Sequence, residues 1–394
     1  MKSKKLSLTP SNLAGSPVSD STDQDYDFCF EDPSGKQITS SNPIEIFDSL
    51  DKLDAYLERN PELLEMDNAG FAGYISYEGD CEFGLYEKIV IARETKQPDA
   101  KDSLKLSTCR PLDIAITYPD PEKYIQAVKK CQEYIKEGDI YQANITHRFA
   151  LQGIENNEWG IELYEKLKSL NPAPYMGYMN FKNYQIISSS PESFLKIKPL
   201  SSSSLCQQEW GISSSPIKGT ASLKELDYLL ASSKEKAEHI MIVDLIRNDL
   251  GRICQTGSIE VPEILATHKF KNLYHLVSTV SGKLKQTGLP KFKDIFAATF
   301  PGGSITGAPK IRAMEIIKEL EEGPRGPYTG SMGYFRFKDG GEFNILIRSI
   351  VIDKTTNETS LHVGSGITAS SNPQRELEES YLKAQTILEV FNAN

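Results

Sequence analysis

The sequence predicts an α+β fold, and three observations carry that reading. Short strand-like runs such as FAGYISYEG (71–79) and KIVIA (88–92) fill the first third. Longer ones, DIYQANITHRFAL (139–151) and YQIISSS (184–190), recur further on. Helical patterns come in runs, without the strict βαβα alternation of a doubly wound sheet. A chain of 394 residues with 39% hydrophobic content can bury a sizeable core without staples.

Taken in order, residues 1–24 read as a flexible tail: 1–19 are basic, Ser-rich and acid-free, which faintly resembles a transit peptide. Residues 25–115 read as a β-rich subdomain with one helical stretch near 45–58. From 120 the pattern changes. Tyr124, Ala127, Val128, Cys131 and Ile135 make a helical stripe closed by Gly138. FLKIKP (194–199) continues the strand pattern after SPES (190–193), and SSSSLCQQEWGISSS (201–215) reads as a low-complexity, disordered loop. Beyond PIKGT (216–220) come a helix over about 233–249, a Gly-rich loop opening a helix at 309–322, two strands and a C-terminal helix. The region 120–394 is the expected catalytic part.

Composition narrows the partners. A formal charge of −10 excludes nucleic acid or an anionic membrane as the main partner. No apolar run spans a bilayer, and no signal-peptide core is visible. Six cysteines, at 29, 81, 109, 131, 206 and 254, show no paired or metal-type spacing, so reduced thiols in a cytoplasmic protein are expected.

Several residues invite chemistry, each against a plainer reading. Glu235 and Glu238 share a helix face; Ser232 with Glu235 fits a capping box, which leaves Glu238 to be explained. The C-terminal helix, capped by Asn372, carries Glu376, Glu379 and Lys383 beside its apolar stripe. Two acids from each helix would make a hard oxygen site suited to Mg²⁺, although spacing alone favours solvated surface glutamates. The glycines at 302, 303 and 307, before Pro309 as a first helical residue, suggest an anion site or tight packing. Gly364 and Gly366 in HVGSGI suggest close approach of a ligand or of the backbone. Arg348, in a strand reading NILIRSIVI, needs a carboxylate from a ligand or an internal acid. Tyr328 is either a hydroxyl donor to the same anion or a core aromatic. Lys218, between Pro216 and Gly219, is either a solvated turn lysine or an amine held for nucleophilic chemistry.

SPES, PIKGT, AEHIMIVDLIRNDLGRI, HLVSTVSG, FPGGSITGAPKIRAMEII, GYF, IRS, GSGI and RELEESYLKA occur in the order seen in the chorismate-utilising enzymes, which the chain resembles from about residue 120 onward. The resemblance implies a single large intertwined domain, an antiparallel β-sandwich flanked by helices, like that of anthranilate synthase component I. It implies Mg²⁺ bridging the chorismate ring carboxylate to Glu238 and Glu379, with Glu235 and Glu376 in support. Gly219, Thr220 and Gly364 would hold the ring carboxylate; Tyr328, Arg348 and Gly366 the enolpyruvyl carboxylate. His275 would lie near the ring and Lys383 near the metal, with Glu192 as general acid.

Within the family, a lysine in PIKGT marks the aminodeoxychorismate synthases, where it adds covalently to the substrate. Gln142 stands where the water-using members carry a general-base lysine, which implies ammonia as the nucleophile. None of the cysteines sits in a glutaminase elbow, so a separate glutamine amidotransferase subunit is the expected ammonia source. Three departures from the family pattern stand out. Ala221 and Ser222 replace an arginine-rich turn, the Ser-rich insert lengthens the gap between Glu192 and Lys218, and the N-terminal part is short.

Overall fold

The computed structural model describes residues 27–92, 114–153, 160–200, 207–222, 224, 226–270 and 273–392. Its strands form two ten-stranded sheets in which every pairing is antiparallel. In the first, Gln142–Gln152, Glu358–Ile367, Ser349–Asp353, Tyr184–Ser190 and Tyr175–Asn180 lie side by side and continue into Phe28–Glu31 and Gln37–Ser40. In the second, Ile217–Ser222, Leu273–Lys283, Trp210–Ser214, Ser193–Pro199, Gly340–Ile345 and Ser331–Arg336 continue into Gly70–Ile75 and Cys81–Tyr86. Strands from 27–92 therefore complete both sheets, and the chain is intertwined as the family resemblance implies.

Alternating side chains explain the layering. Phe28, Phe30 and Ile186 from the first sheet pack against Tyr74, Met332 and Tyr334 from the second. The helices Gly160–Leu170 and Pro373–Asn392 cover the first sheet through Leu163, Leu167, Ile387 and Leu388. Leu50–Arg59, Ser233–Ile253 and Phe292–Thr299 cover the second through Leu53, Ile242, Ile246 and Phe296. The helical stripe expected after Asp120 is the helix Pro121–Glu137. The Asp120 carboxylate caps its start, and Gly138 ends it at φ +86°.

Three expectations need correction. Residues 1–24 and 201–206 lie outside the described residues, but Trp210–Ser214 is a strand between Ser193–Pro199 and Leu273–Lys283 rather than a loop. Its serines mask a period of two: Trp210, Ile212 and Ser214 face inward, and Trp210 is fully buried with its indole N–H on the Gly288 carbonyl at 2.7 Å. Four strands, not two, follow the helix Lys310–Leu320, because NILIRSIVI breaks at Leu346–Arg348. There the chain leaves the second sheet for the first, with Arg348 at φ +51°. Pro309 is the cap preceding that helix, not its first residue.

Another crossing between sheets is SPES, which joins Tyr184–Ser190 to Ser193–Pro199. The two crossings lie side by side. Ile345 N–H donates to the Glu192 carbonyl at 3.0 Å, and Ser189 N–H to the Arg348 carbonyl at 3.1 Å. The Ser190 hydroxyl donates to the Ile345 carbonyl at 2.6 Å.

Candidate active site

The crossings position the first two site residues. Glu192 is buried, and its carboxylate accepts from the Ser304 hydroxyl and the Ile217 N–H with the Lys218 charge nearby. Burial dominates those three and pushes the carboxyl up to about 7, a group able to hold a proton near neutrality. SPES and PIKGT, separated by the Ser-rich insert, thus meet directly.

Gly219 shapes the lysine turn. Its φ of +72° makes a bulge in the pairing with Leu273–Lys283, so Lys218 opposes Leu276 while Thr220 opposes His275. A Cβ at 219 would stand 2.6 Å from Leu229 Cδ1 and 3.4 Å from Glu235 Oε2, which places the Glu235 carboxylate behind the turn. The Ser232 hydroxyl accepts from Glu235 N–H at 3.3 Å, but Ser232 N–H goes to the Leu229 carbonyl, so Glu235 does not close a capping box. Lys218 reaches the first sheet: its Nζ lies 3.3 Å from the position of a Cβ at Gly366, where Gln142 Nε2 lies at 2.6 Å. Gln142 is buried, and its Oε1 has no hydrogen-bond partner.

A second group gathers at the other crossing. Thr329 N–H donates to the Leu346 carbonyl at 2.7 Å, tying the segment of Tyr328 to the crossing two residues before Arg348. Tyr328 stacks on His362 at 5.1 Å, and burial raises its hydroxyl pKa. Burial lowers the Arg348 guanidinium, and among the described residues no carboxylate pairs with it. His275 is buried, and burial first, then the Arg348 charge, lowers its pKa, so the ring is neutral at pH 7.

The remaining carboxylates do not collect into a cage. Glu238 lines a cleft of about 390 Å³ with Tyr141 and Thr368–Ser370, the turn leading into the helix of Glu376 and Glu379. Both of those acids act on Tyr124, and Glu379 is exposed, paired with Lys383 at 2.8 Å. Lys383 also donates to the Gly364 carbonyl at 3.0 Å. Among the described residues no three His, Cys, Asp or Glu side chains stand close enough to enclose a metal. The donor set still fits Mg²⁺, which takes one or two carboxylates and completes its shell with water and substrate oxygens.

Other glycines have packing reasons. A Cβ at Gly364 would meet the Ile145 carbonyl at 2.3 Å, and one at Gly307 the Gln142 carbonyl at 2.1 Å. Close strand approach requires both. The turn before Lys310 supplies Ser304 to Glu192.

The sequence reading missed two supports. Ser304 is hidden in a small-residue turn, and Arg325 was not singled out. Arg325 is buried. It binds Glu321 at 2.7 Å, donates to the Ile305 and Asn144 carbonyls at 2.9 and 2.6 Å, and ties the turn of Ser304 to the strand of Gln142. The spacing of Glu321 and Arg325 was the available signal.

A family profile for chorismate binding enzymes matches residues 92–389. The chain belongs to that family. It is 41% identical over 269 residues to aminodeoxychorismate synthase component 1 of Bacillus subtilis, covering 66% of this chain and 54% of that protein. It is 36% identical over 328 residues to anthranilate synthase component 1 of Synechocystis, covering 81% and 63%. This member thus spans roughly three fifths or less of these relatives' length. Among solved structures, anthranilate synthase component I from Streptococcus pneumoniae superposes with a TM-score of 0.70 at 26% identity, over 96% of this chain and 97% of that one. The chorismate-binding fold accounts for the two sheets and their flanking helices.

Proposed function

We propose that the chain is the synthase component of an aminodeoxychorismate synthase, converting chorismate and ammonia to 4-amino-4-deoxychorismate. The observation that carries this reading is the meeting of the half-buried Lys218 with the buried Glu192 carboxyl, with Nζ beside Gln142 at Gly366. The Lys218 amine, having given its proton to solvent, attacks C2 of the ring, the two conjugated ring double bonds shift, and the C4 hydroxyl leaves with the Glu192 proton as water. Ammonia then attacks C4, both ring double bonds shift back, and Lys218 is expelled from C2 as the neutral amine. The nucleophile's surplus proton returns to Glu192. Gln142 Oε1, an acceptor without a partner, suits a bound ammonia N–H.

The substrate's two carboxylates divide between the two groups of residues. Arg348 and Tyr328, with the backbone at Gly366, receive the enolpyruvyl carboxylate, and neutral His275 lies by the ring. Gly219, Thr220 and Gly364 receive the ring carboxylate. Glu238 and Glu379 would hold Mg²⁺, with Glu235 and Glu376 behind and Lys383 beside them; when bound, the ion neutralises the ring carboxylate and fixes its orientation. A separate glutamine amidotransferase supplies ammonia in this reading. The product then needs a pyruvate-eliminating lyase to become 4-aminobenzoate for folate synthesis.

The anthranilate synthase relatives support a second reading, attack by ammonia at C2 with loss of pyruvate. Incubating the chain with chorismate, Mg²⁺ and an ammonium salt separates the two. Aminodeoxychorismate is the expected product, and anthranilate would decide for the alternative. Lys218→Ala is expected to lose most turnover; full activity with the same product would end the covalent role. Chelation of Mg²⁺ is expected to abolish turnover reversibly.

A further inference from the structure

Behind Glu192 stands a buried ion pair that the proposed reaction does not use. Asp249, on the helix Ser233–Ile253, meets Lys310 at 2.6 Å, with side chains only 8% and 15% exposed. Lys310 also donates to the Thr299 carbonyl at 3.1 Å. Between this pair and the general acid lies a cavity of about 20 Å³, lined by Glu192, Ser214, Asp249, Thr299 and Ser304 among others. A water needs roughly 10–15 Å³ of such space and two to four polar partners. Glu192 and Asp249 are the two ionisable residues on the wall, whereas Lys310 is not on it.

We propose that one water in this cavity joins Glu192 to Asp249, and that the Asp249–Lys310 pair is a positioning device that keeps the general acid protonated. Asp249 lines the cavity and Lys310 does not, so a bridging water would present the negative end of the pair to Glu192 and oppose its ionisation. Lys218, from the strand Ile217–Ser222, acts in the opposite sense, and Arg252 lies further along the helix of Asp249. The water accepts from the Glu192 O–H and donates to Asp249. Once Glu192 has given its proton to the departing hydroxyl, the water turns to donate to the new carboxylate. The bridging water changes only its hydrogen bonds; the Glu192 O–H and the substrate C4–O are the bonds broken, and an O–H of the departing water is the bond formed.

This inference rests on Glu192 as the general acid, and infrared spectroscopy of the resting enzyme separates the two ideas. The carboxyl C=O band absent from Glu192→Gln is followed against pH in wild type, Asp249→Asn, Lys310→Met, Lys310→Arg and the double variant Asp249→Asn/Lys310→Met. Asp249→Asn leaves an unpaired ammonium, and the midpoint is expected to fall by about one pH unit. Lys310→Met leaves two carboxyls sharing the cavity, and the upper midpoint of that coupled pair is expected to rise by a similar amount. Lys310→Arg is expected to stay near wild type, and the double variant, which removes the pair altogether, to fall by less than Asp249→Asn.

Midpoints that coincide in all these proteins overturn the proposal. Should Asp249→Asn fail to fold, Lys310→Met against Lys310→Arg decides it: separation supports the linkage and coincidence ends it. A crystal structure without a water in reach of both carboxyls overturns the bridge. Full turnover by Glu192→Gln instead removes the general-acid reading, and the band positions still judge the linkage.

Discussion

Lys218 and Gly366 touch across the gap between two different sheets, with the amine nitrogen 3.3 Å from the point a side chain at 366 would occupy. The glycine there is a space reserved for the lysine and for Gln142. Gly366→Ala is expected to push both away and lower kcat about 10²-fold, the cost of misplacing a reacting group by roughly 1 Å. Steady-state kinetics beside an unchanged circular dichroism spectrum checks it, and near-wild-type kcat would show that the contact is incidental.

The protonation of Glu192 sets a pH limb. Burial raises its pKa from 4.5 to about 7, so the acid form needed for leaving-group departure is full below that value and lost as pH rises through it. The logarithm of kcat should fall with unit slope above about pH 7. Glu192→Gln should lose about 10²–10⁴-fold and flatten that limb.

His147 couples stability to acid. Its Nε2 meets the Ser380 hydroxyl at 2.9 Å, its ring lies 4.3 Å from that of Tyr124, and burial lowers its pKa from 6.5 to about 4. The unfolded chain therefore binds this proton first. Stability falls as pH drops from about 6.5 to 4 and levels off below, by roughly 2 kcal/mol for this group after allowance for solvent screening. Urea unfolding at pH 7, 5.5 and 4.5 measures the slope, and His147→Gln should reduce it.

Trp210 tests the strand hidden in the Ser-rich stretch. Fully buried against Phe335 at 5.2 Å, it should cost about 3–5 kcal/mol when replaced by alanine. Denaturant unfolding reads this directly, and a loss under 1 kcal/mol would contradict a core role.

What could be read from the residues divides along physical lines. The helices of 121–137 and 373–392 announce themselves through stripes and caps, and the glycine of PIKGT through its turn. Trp210–Ser214 did not, because its inward positions are shared by serine, which composition assigns to solvent. Arg348 looked like a strand residue because its neighbours are uniformly apolar; the left-handed turn at Leu346–Arg348 is imposed by the change of sheet, a long-range event without a local signature. Glu192 and Lys218 were expected together, but the Ser304 hydroxyl, the unpartnered Gln142 oxygen and the Asp249 cavity arise from contacts between distant segments.

The paired crossings have a mechanical consequence. Glu192 and Arg348 are fastened to two adjacent places where the chain passes from one layer to the other, held by backbone hydrogen bonds that join those passages. Sliding of the layers would be transmitted at once to the spacing between proton donor and anion clamp. In the proposed reaction, stiffness between the sheets is therefore a requirement of turnover as much as of folding.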